Sequence, residues 1–296
     1  MQRTRLTVAV LGAGKMGKWF ARFFLSEGFR VVVADRKQEK LDNLKLELPV
    51  ETAGFAEAAA SADWVLLCTS IEALESVAKN IGDVIRPEQV VMDIASIKEG
   101  PVKIMHAYIK KGIVLGMHPV FGPGSKRVKN KVFILTPVDS KEEVFASELS
   151  AWLTKRGAKV FVMSPKRHDE LMSVVLGFTH FIGLVTCDAL LETPEFLETK
   201  RVAGTSYRLL YTLAEATAME DPSFYAQLQL TLPKANELEQ LFVQKAKEWL
   251  KEISKKDMEG LTTRMQRLRE KLTAVNPSSV DSYEAMYRML EATENS

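Results

Sequence analysis

A chain of 296 residues, 46% hydrophobic and 26% charged, holds one large or two ordinary domains with a real core. Its formal net charge of +2 argues against a dedicated nucleic-acid binder. Lys and Arg become more frequent late in the chain, but Glu is interleaved with them, as on a solvated helical face. The two cysteines, Cys68 and Cys187, lie in apolar runs without a partner at metal-ligand spacing, so they read as buried thiols of a reducing compartment. Arg3 and Arg5 precede no apolar segment long enough for a signal peptide, and no window approaches the length of a membrane span. The expected location is cytoplasmic, with no membrane partner.

In chain order, residues 6–11 form an apolar run that stops at Gly12-Ala13-Gly14-Lys15-Met16-Gly17. A helical pattern follows (Trp19, Phe20, Phe23, Phe24), with Gly28 as its stop. Arg30 to Ala34 reads as a second strand and ends at Asp35-Arg36. Further buried strands are predicted at 64–68 and 89–93, and strands at 113–115, 132–135 and 159–162. Helices are predicted around 37–46, 54–61, 71–84 and 141–155. Such alternation means a doubly wound, mainly parallel sheet covered on both faces. The character changes near Ser164-Pro165, which divides the chain into a domain over 1–164 and an all-α domain over 165–296. In the second part, 167–192, 202–220, 222–253, 258–273 and 279–292 favour helix, and Pro222 and Pro277 stand at two helix starts. Leu250, Ile253, Leu261, Met265, Leu268 and Leu272 make an apolar stripe that serves either packing within the domain or a homodimer interface.

Gly12-x-Gly14-x-x-Gly17 has the context of a Rossmann-type dinucleotide site: a strand before it, a helix after it and an acid closing the next strand. Gly12 permits the tight turn, Gly14 lets backbone approach a pyrophosphate, and Gly17 allows close helix packing. Lys15 and Met16 open the helix whose N-terminus then faces the phosphates. Asp35 stands eighteen residues past Gly17, where a carboxylate accepts from ribose hydroxyls and repels a 2′-phosphate. NAD is therefore favoured, although Arg36 or Lys37 could pair with the extra phosphate of NADP.

Downstream, Asp93-Ile94-Ala95-Ser96-Ile97-Lys98 closes a sheet strand where ligand loops occur. Ser96 could orient a catalytic group, cap the next helix, or do both. Gly116-Met117-His118-Pro119-Val120-Phe121-Gly122-Pro123 puts His118 on a loop after a predicted strand, and imidazole is suited to proton transfer near neutrality. A dinucleotide site with such a histidine suggests an oxidoreductase that takes a hydride and a proton from an alcohol. His106 sits in a helix as a structural or exposed residue, and His168-Asp169 opens the helical domain, where a helix-start role suffices. His180 lies on an otherwise apolar helix and is either a core histidine or functional. Arg208, between apolar helical positions, needs an anion: a substrate carboxylate or an internal acid. No histidine has zinc-site spacing, so no metal is expected.

Taken together, the glycine motif, Asp93-x-x-Ser96-x-Lys98, His118-Pro119-Val120-Phe121-Gly122-Pro123, His168-Asp169 with His180 twelve residues on, and Ser206-Tyr207-Arg208-Leu209 followed by Asp221-Pro222-x-x-Tyr225-Ala226 resemble the prephenate dehydrogenases in content and order. The resemblance covers roughly residues 6–230 and fades in the last helices. It implies NAD-dependent oxidation of prephenate with loss of its ring carboxylate as CO2, giving the tyrosine precursor 4-hydroxyphenylpyruvate. It also implies that His118 accepts the hydroxyl proton, that Ser96 orients His118, that Arg208 binds a substrate carboxylate and that His180 binds another polar group. Burial and a cationic nicotinamide lower the pKa of His118 while substrate carboxylates raise it, so an acid limb near neutrality is expected. Only five residues precede Leu6, so no chorismate mutase domain is expected before the glycine motif, nor a regulatory domain after residue 296, which bears on tyrosine feedback.

Three other readings compete. An arogenate dehydrogenase would differ at one or two side chains around the substrate's amine. A β-hydroxyacid dehydrogenase relies on a lysine in the helical domain, against which the His118 loop argues. A dinucleotide-sensing regulator would bind cofactor without turnover and has no need of His118, Ser96 and Arg208 together.

Overall fold

In the computed structural model residues 6–294 are described, so Arg3 and Arg5 lie outside the described residues. The chain forms two compact units, Met1–Met172 and Ser173–Ser296. Helix Pro165–Met172 counts with the first unit because His168, Asp169 and Met172 on it are buried.

The first unit is built on an eight-stranded sheet. Its strands are β1 (Thr7–Leu11), β2 (Arg30–Ala34), β3 (Glu51–Thr52), β4 (Trp64–Leu67), β5 (Val90–Asp93), β6 (Ile113–Pro119), β7 (Val132–Thr136) and β8 (Lys159–Val162). The order is β3-β2-β1-β4-β5-β6-β7-β8, and every pairing is parallel except β6 with β7. The doubly wound, mainly parallel sheet expected from the alternation is thus present. β1 and β5 are buried along their whole length, which is why they read as unbroken apolar runs. Among the strands only β3, two residues long, has no counterpart in the expected elements.

Helices cover both faces. On one side α1 (Lys15–Ser26) and α6 (Ser140–Thr154) pack with an aromatic cluster of Phe20, Phe24, Phe29, Trp64 and Trp152. On the other lie α3 (Phe55–Ser61), α4 (Ile71–Ile81) and α5 (Glu99–Tyr108), with small residues such as Ala58, Ala59 and Ala78 at the contact. α2 (Gln38–Glu47) follows β2. β1 is flanked by β2 and β4, so crossovers leave it in opposite directions and a crevice opens at its carboxyl end.

The second unit is entirely helical among its described residues. α7 (Pro165–Met172) leads through a π-helical stretch, Ser173–Phe178, into α8 (Thr179–Leu191). Then come α9 (Phe196–Arg201), α10 (Thr205–Ala218), α11 (Pro222–Thr231), α12 (Ala235–Ser254), α13 (Met258–Val275) and α14 (Ser282–Glu294). The single helix expected over 222–253 is interrupted at Pro233, which cannot supply the amide that the helix needs there. Asp221 caps α11 through Phe224 N (3.0 Å) with Pro222 in the first turn.

Two expectations from composition need correction. Pro165–Leu191 is one helix whose best window has a mean hydropathy of 1.8, long and apolar enough by those measures to cross a membrane. Ser173, His180 and Asp188 break the apolar run in sequence but hardly lower its mean. Cys68 and Cys187 are free and half-buried, not fully buried. Burial nonetheless pushes the Cys68 thiol up, which keeps it protonated.

Candidate active site

The glycine turn lies at the crevice beside β1. Gly12 has φ +117, and a Cβ there would stand 2.4 Å from the Cys68 carbonyl oxygen. A Cβ on Gly17 would stand 1.8 Å from the Gly12 carbonyl, so only glycine lets α1 come this close to the turn. A Cβ on Gly14, by contrast, would meet nothing within 4 Å. Gly14 precedes α1 and has no side chain to cap it, so the first-turn amides face open space. That is a cradle for an anion with a backbone close enough to touch it.

Asp35, at the end of β2, accepts from Ala13 N (2.8 Å) and Lys37 N (2.9 Å), which ties the acid to the glycine turn. Lys40 Nζ stands 3.9 Å from Asp35 Oδ2. Arg36 and Lys37 are exposed at the same edge, and Lys15 is exposed beside half-buried Met16. The set fits a dinucleotide: amides for the pyrophosphate and a carboxylate for a ribose. Gly17→Ala is expected to cost about 1–3 kcal/mol or more, because α1 must shift. Gly14→Ala should cost at most about 1 kcal/mol, yet weaken dinucleotide binding at least tenfold because its methyl fills the cradle. Urea denaturation and a cofactor titration check both, and the opposite ranking would contradict the assignment.

His118 is a strand residue, not a loop residue. β6 continues through Pro119 because antiparallel β7 pairs with it beyond Gly116, placing His118 opposite Ile134. The histidine is buried at 4% exposure. Its Nδ1 lies 2.8 Å from His168 Nε2, and His168 Nδ1 lies 2.7 Å from Asp169 Oδ1. Burial, then the neighbouring His168 and Lys98, hold the His118 imidazole well below its ordinary value of 6.5. Burial also lowers His168, against the pull of Asp169.

Lys98 is wholly buried, with Nζ on the Asp93 carboxylate and on Met117 O (3.0 Å). Burial pushes Asp93 up and Lys98 down, while each partner opposes the other's shift. A Cβ on Gly116 would stand 3.1 Å from Lys98 Cδ and 2.2 Å from Thr136 Oγ1, so this glycine admits the lysine stem. The pair therefore fixes the backbone immediately before His118.

Ser96 is half-exposed on the bend between β5 and α5. Among the described hydrogen bonds none joins it to His118, and it is not the cap of α5. That cap comes from Asp169, whose oxygens accept from Lys98 N (2.7 Å) and Glu99 N (3.0 Å).

In the second unit, His180 lies on α8 and its ring centroid is 4.1 Å from that of Tyr225. Its Nδ1 is buried without a hydrogen-bond partner, and burial lowers its pKa against the attraction of Glu220. Arg208 is half-buried near the start of α10. α8 and α10 pack along one another, with Gly183 making room for the Thr217 side chain.

The model of the prephenate dehydrogenase nucleotide-binding domain matches residues 20–162, and that of the prephenate dehydrogenase dimerization domain matches 164–267. The chain belongs to the prephenate dehydrogenase family. It is 35% identical over 265 residues to a probable arogenate/prephenate dehydrogenase of Methanocaldococcus jannaschii, covering 88% of this chain and 59% of that protein. It is 26% identical over 226 residues to arogenate dehydrogenase 1, chloroplastic, of Arabidopsis thaliana, covering 71% of this chain and 33% of that one. The chain thus spans well under two thirds of the length of these relatives. The prephenate dehydrogenase of A. aeolicus, solved with hydroxyphenyl propionate and NAD+, shares the fold at a TM-score of 0.74 and 21% identity, over 93% of this chain and 100% of that one.

Within this family member, what sequence reading missed is not the pair His168-Asp169, which stood among the motifs of the resemblance, but its contacts with His118 and with the start of α5. A helix-start role explained both residues, and nothing in their spacing from His118 signals contact. The one available hint is chemical: two adjacent polar residues ahead of an apolar helix need partners once buried.

Proposed function

We propose that the protein catalyses the NAD-dependent oxidative decarboxylation of prephenate to 4-hydroxyphenylpyruvate, a step toward tyrosine. The observation that carries this reading is a buried imidazole, His118, whose surroundings disfavour its charged form, in the same sheet whose β1 end forms the glycine cradle. Bound nicotinamide supplies the hydride acceptor. His118 takes the proton of the ring hydroxyl, and being neutral at working pH it is ready to do so. Arg208 pairs with a substrate carboxylate, His180 offers its imidazole to another polar group, and Ser96, half-exposed on the bend after β5, is the residue assigned to help orient His118. Loss of the ring carboxylate as CO2 makes the ring aromatic, which drives the reaction forward. Asp35 favours NAD over NADP by repelling a 2′-phosphate, and the NAD+ complex of the A. aeolicus enzyme supports that choice.

Arogenate is the second reading, favoured by the name of the 35% identical relative. One experiment tests both: NADH formation with each substrate, and CO2 release from prephenate in equal amount. Folded protein that oxidises neither would end the proposal.

A homodimer follows from the dimerization-domain match together with the apolar side chains left uncovered in the second unit. Leu250, Ile253, Met265, Leu268 and Leu272 are all at least half exposed, so packing within the domain does not account for their stripe. Val174, Val175, Leu184, Val185, Leu210 and Leu213 are also exposed. Light scattering at micromolar concentration should give twice the 33.2 kDa chain mass, and a monomer would refute the assignment.

A further inference from the structure

A general base must present a bare nitrogen to the substrate hydroxyl, and a neutral imidazole has its proton on one nitrogen or the other. The surroundings of His118 decide which. Asp169 accepts two backbone N–H groups at the start of α5, from Lys98 (2.7 Å) and Glu99 (3.0 Å). Neither amide can reverse its role, and an ionised carboxylate has no proton to give, so Asp169 only accepts. His168 Nδ1, 2.7 Å from Asp169 Oδ1, must therefore donate. A neutral His168 then carries its lone pair on Nε2, and that lone pair faces His118 Nδ1 at 2.8 Å. The contact is a hydrogen bond only if His118 Nδ1 holds the proton, which leaves Nε2 bare.

We propose that His168 and Asp169 are positioning residues that hold His118 as the Nδ1–H tautomer, so that Nε2 is its proton-accepting atom. The proposal rests on the reading of His118 as the base. When Nε2 takes the hydroxyl proton, the Nδ1–H stays on His118 and keeps donating to His168. His168 in turn keeps donating to Asp169, whose negative charge offsets the imidazolium. Of the other nearby charges, Lys98 disfavours a charged His118, while its partner Asp93 acts on His168. Burial favours neutral His168, the state the chain requires. A protonated His168 would donate from Nε2, drive the His118 proton to its own Nε2 and remove the base.

The test is nitrogen-15 NMR of histidine-labelled protein, in which four imidazoles contribute signals. His118→Asn and His168→Gln assign the two that matter. The expected spectrum has both His118 and His168 protonated at Nδ1 and bare at Nε2. His168→Leu removes the acceptor; kcat should fall at least about tenfold, with the substrate KM within about threefold, because the base spends its time in the wrong tautomer. In that variant the His118 proton should appear on Nε2. His168→Gln, whose Oε1 can accept from Nδ1–H, should recover kcat to within about threefold of wild type. A purely structural His168 would predict equal losses in the Leu and Gln variants and no tautomer change, and that pattern overturns the proposal. So does a wild-type His118 with its proton on Nε2. If His168→Leu does not fold, the wild-type spectrum decides alone. A protein that oxidises neither prephenate nor arogenate but shows the expected spectrum loses the proposed function and keeps the tautomer assignment.

Discussion

His118→Asn should lower kcat by roughly 10²–10⁴ and leave NAD binding unchanged. The asparagine amide can still donate toward His168 from about where Nδ1 stood, so the buried chain to Asp169 keeps a partner. What disappears is the group that can take a proton. The pH dependence supplies a second readout. A base must be neutral, so activity rises with pH through the pKa of His118. In the free protein burial, His168 and Lys98 all push that pKa below the ordinary 6.5. The acid limb of kcat/KM should therefore lie on the acid side of a free imidazole, not near neutrality as the balance of opposing charges first suggests. Followed down to the lowest pH at which the protein stays folded, the limb should be present in wild type and absent in the variant. Near-normal kcat in His118→Asn, or an unchanged acid limb, would place the base elsewhere. His180, also lowered by burial, is the rival; as a binding residue it should alter KM more than kcat.

Arg208→Ala should mainly raise KM for the substrate. Removing one partner of a charge-assisted carboxylate contact costs about 2–5 kcal/mol when the pair is buried. Because Arg208 is half-buried, the lower end is expected, a loss of roughly thirtyfold in kcat/KM. Steady-state kinetics at saturating NAD give the number, and a thermal melt separates the alternatives. A lost substrate contact leaves the melting temperature nearly in place. Unchanged KM with a collapsed melting temperature would instead mean that the arginine serves an internal acid.

The sequence on its own determined the parts whose physics is local. Strands buried on both faces must be apolar runs, so β1, β2, β4, β5 and β7 were legible at nearly their observed bounds; β8 was legible too, although it is a largely exposed edge strand. The glycine motif was legible because each glycine answers to its near neighbours: Gly12 to a turn, Gly17 to the Gly12 carbonyl and Gly14 to an open helix end. Asp35 followed from its place at the end of β2. Tertiary structure decided the rest. Whether β6 ends before His118 depended on β7, a partner strand supplied by other residues. The cap of α5 came from Asp169, some seventy residues downstream, and not from nearby Ser96. The partner of His118 is fifty residues away on α7. Hydrogen bonds are directional and short, so a side chain finds its partner by position in space, and sequence spacing carries no record of that once the two lie on different elements. For the same reason a short motif could announce a base at His118, while only the folded chain shows which nitrogen faces His168.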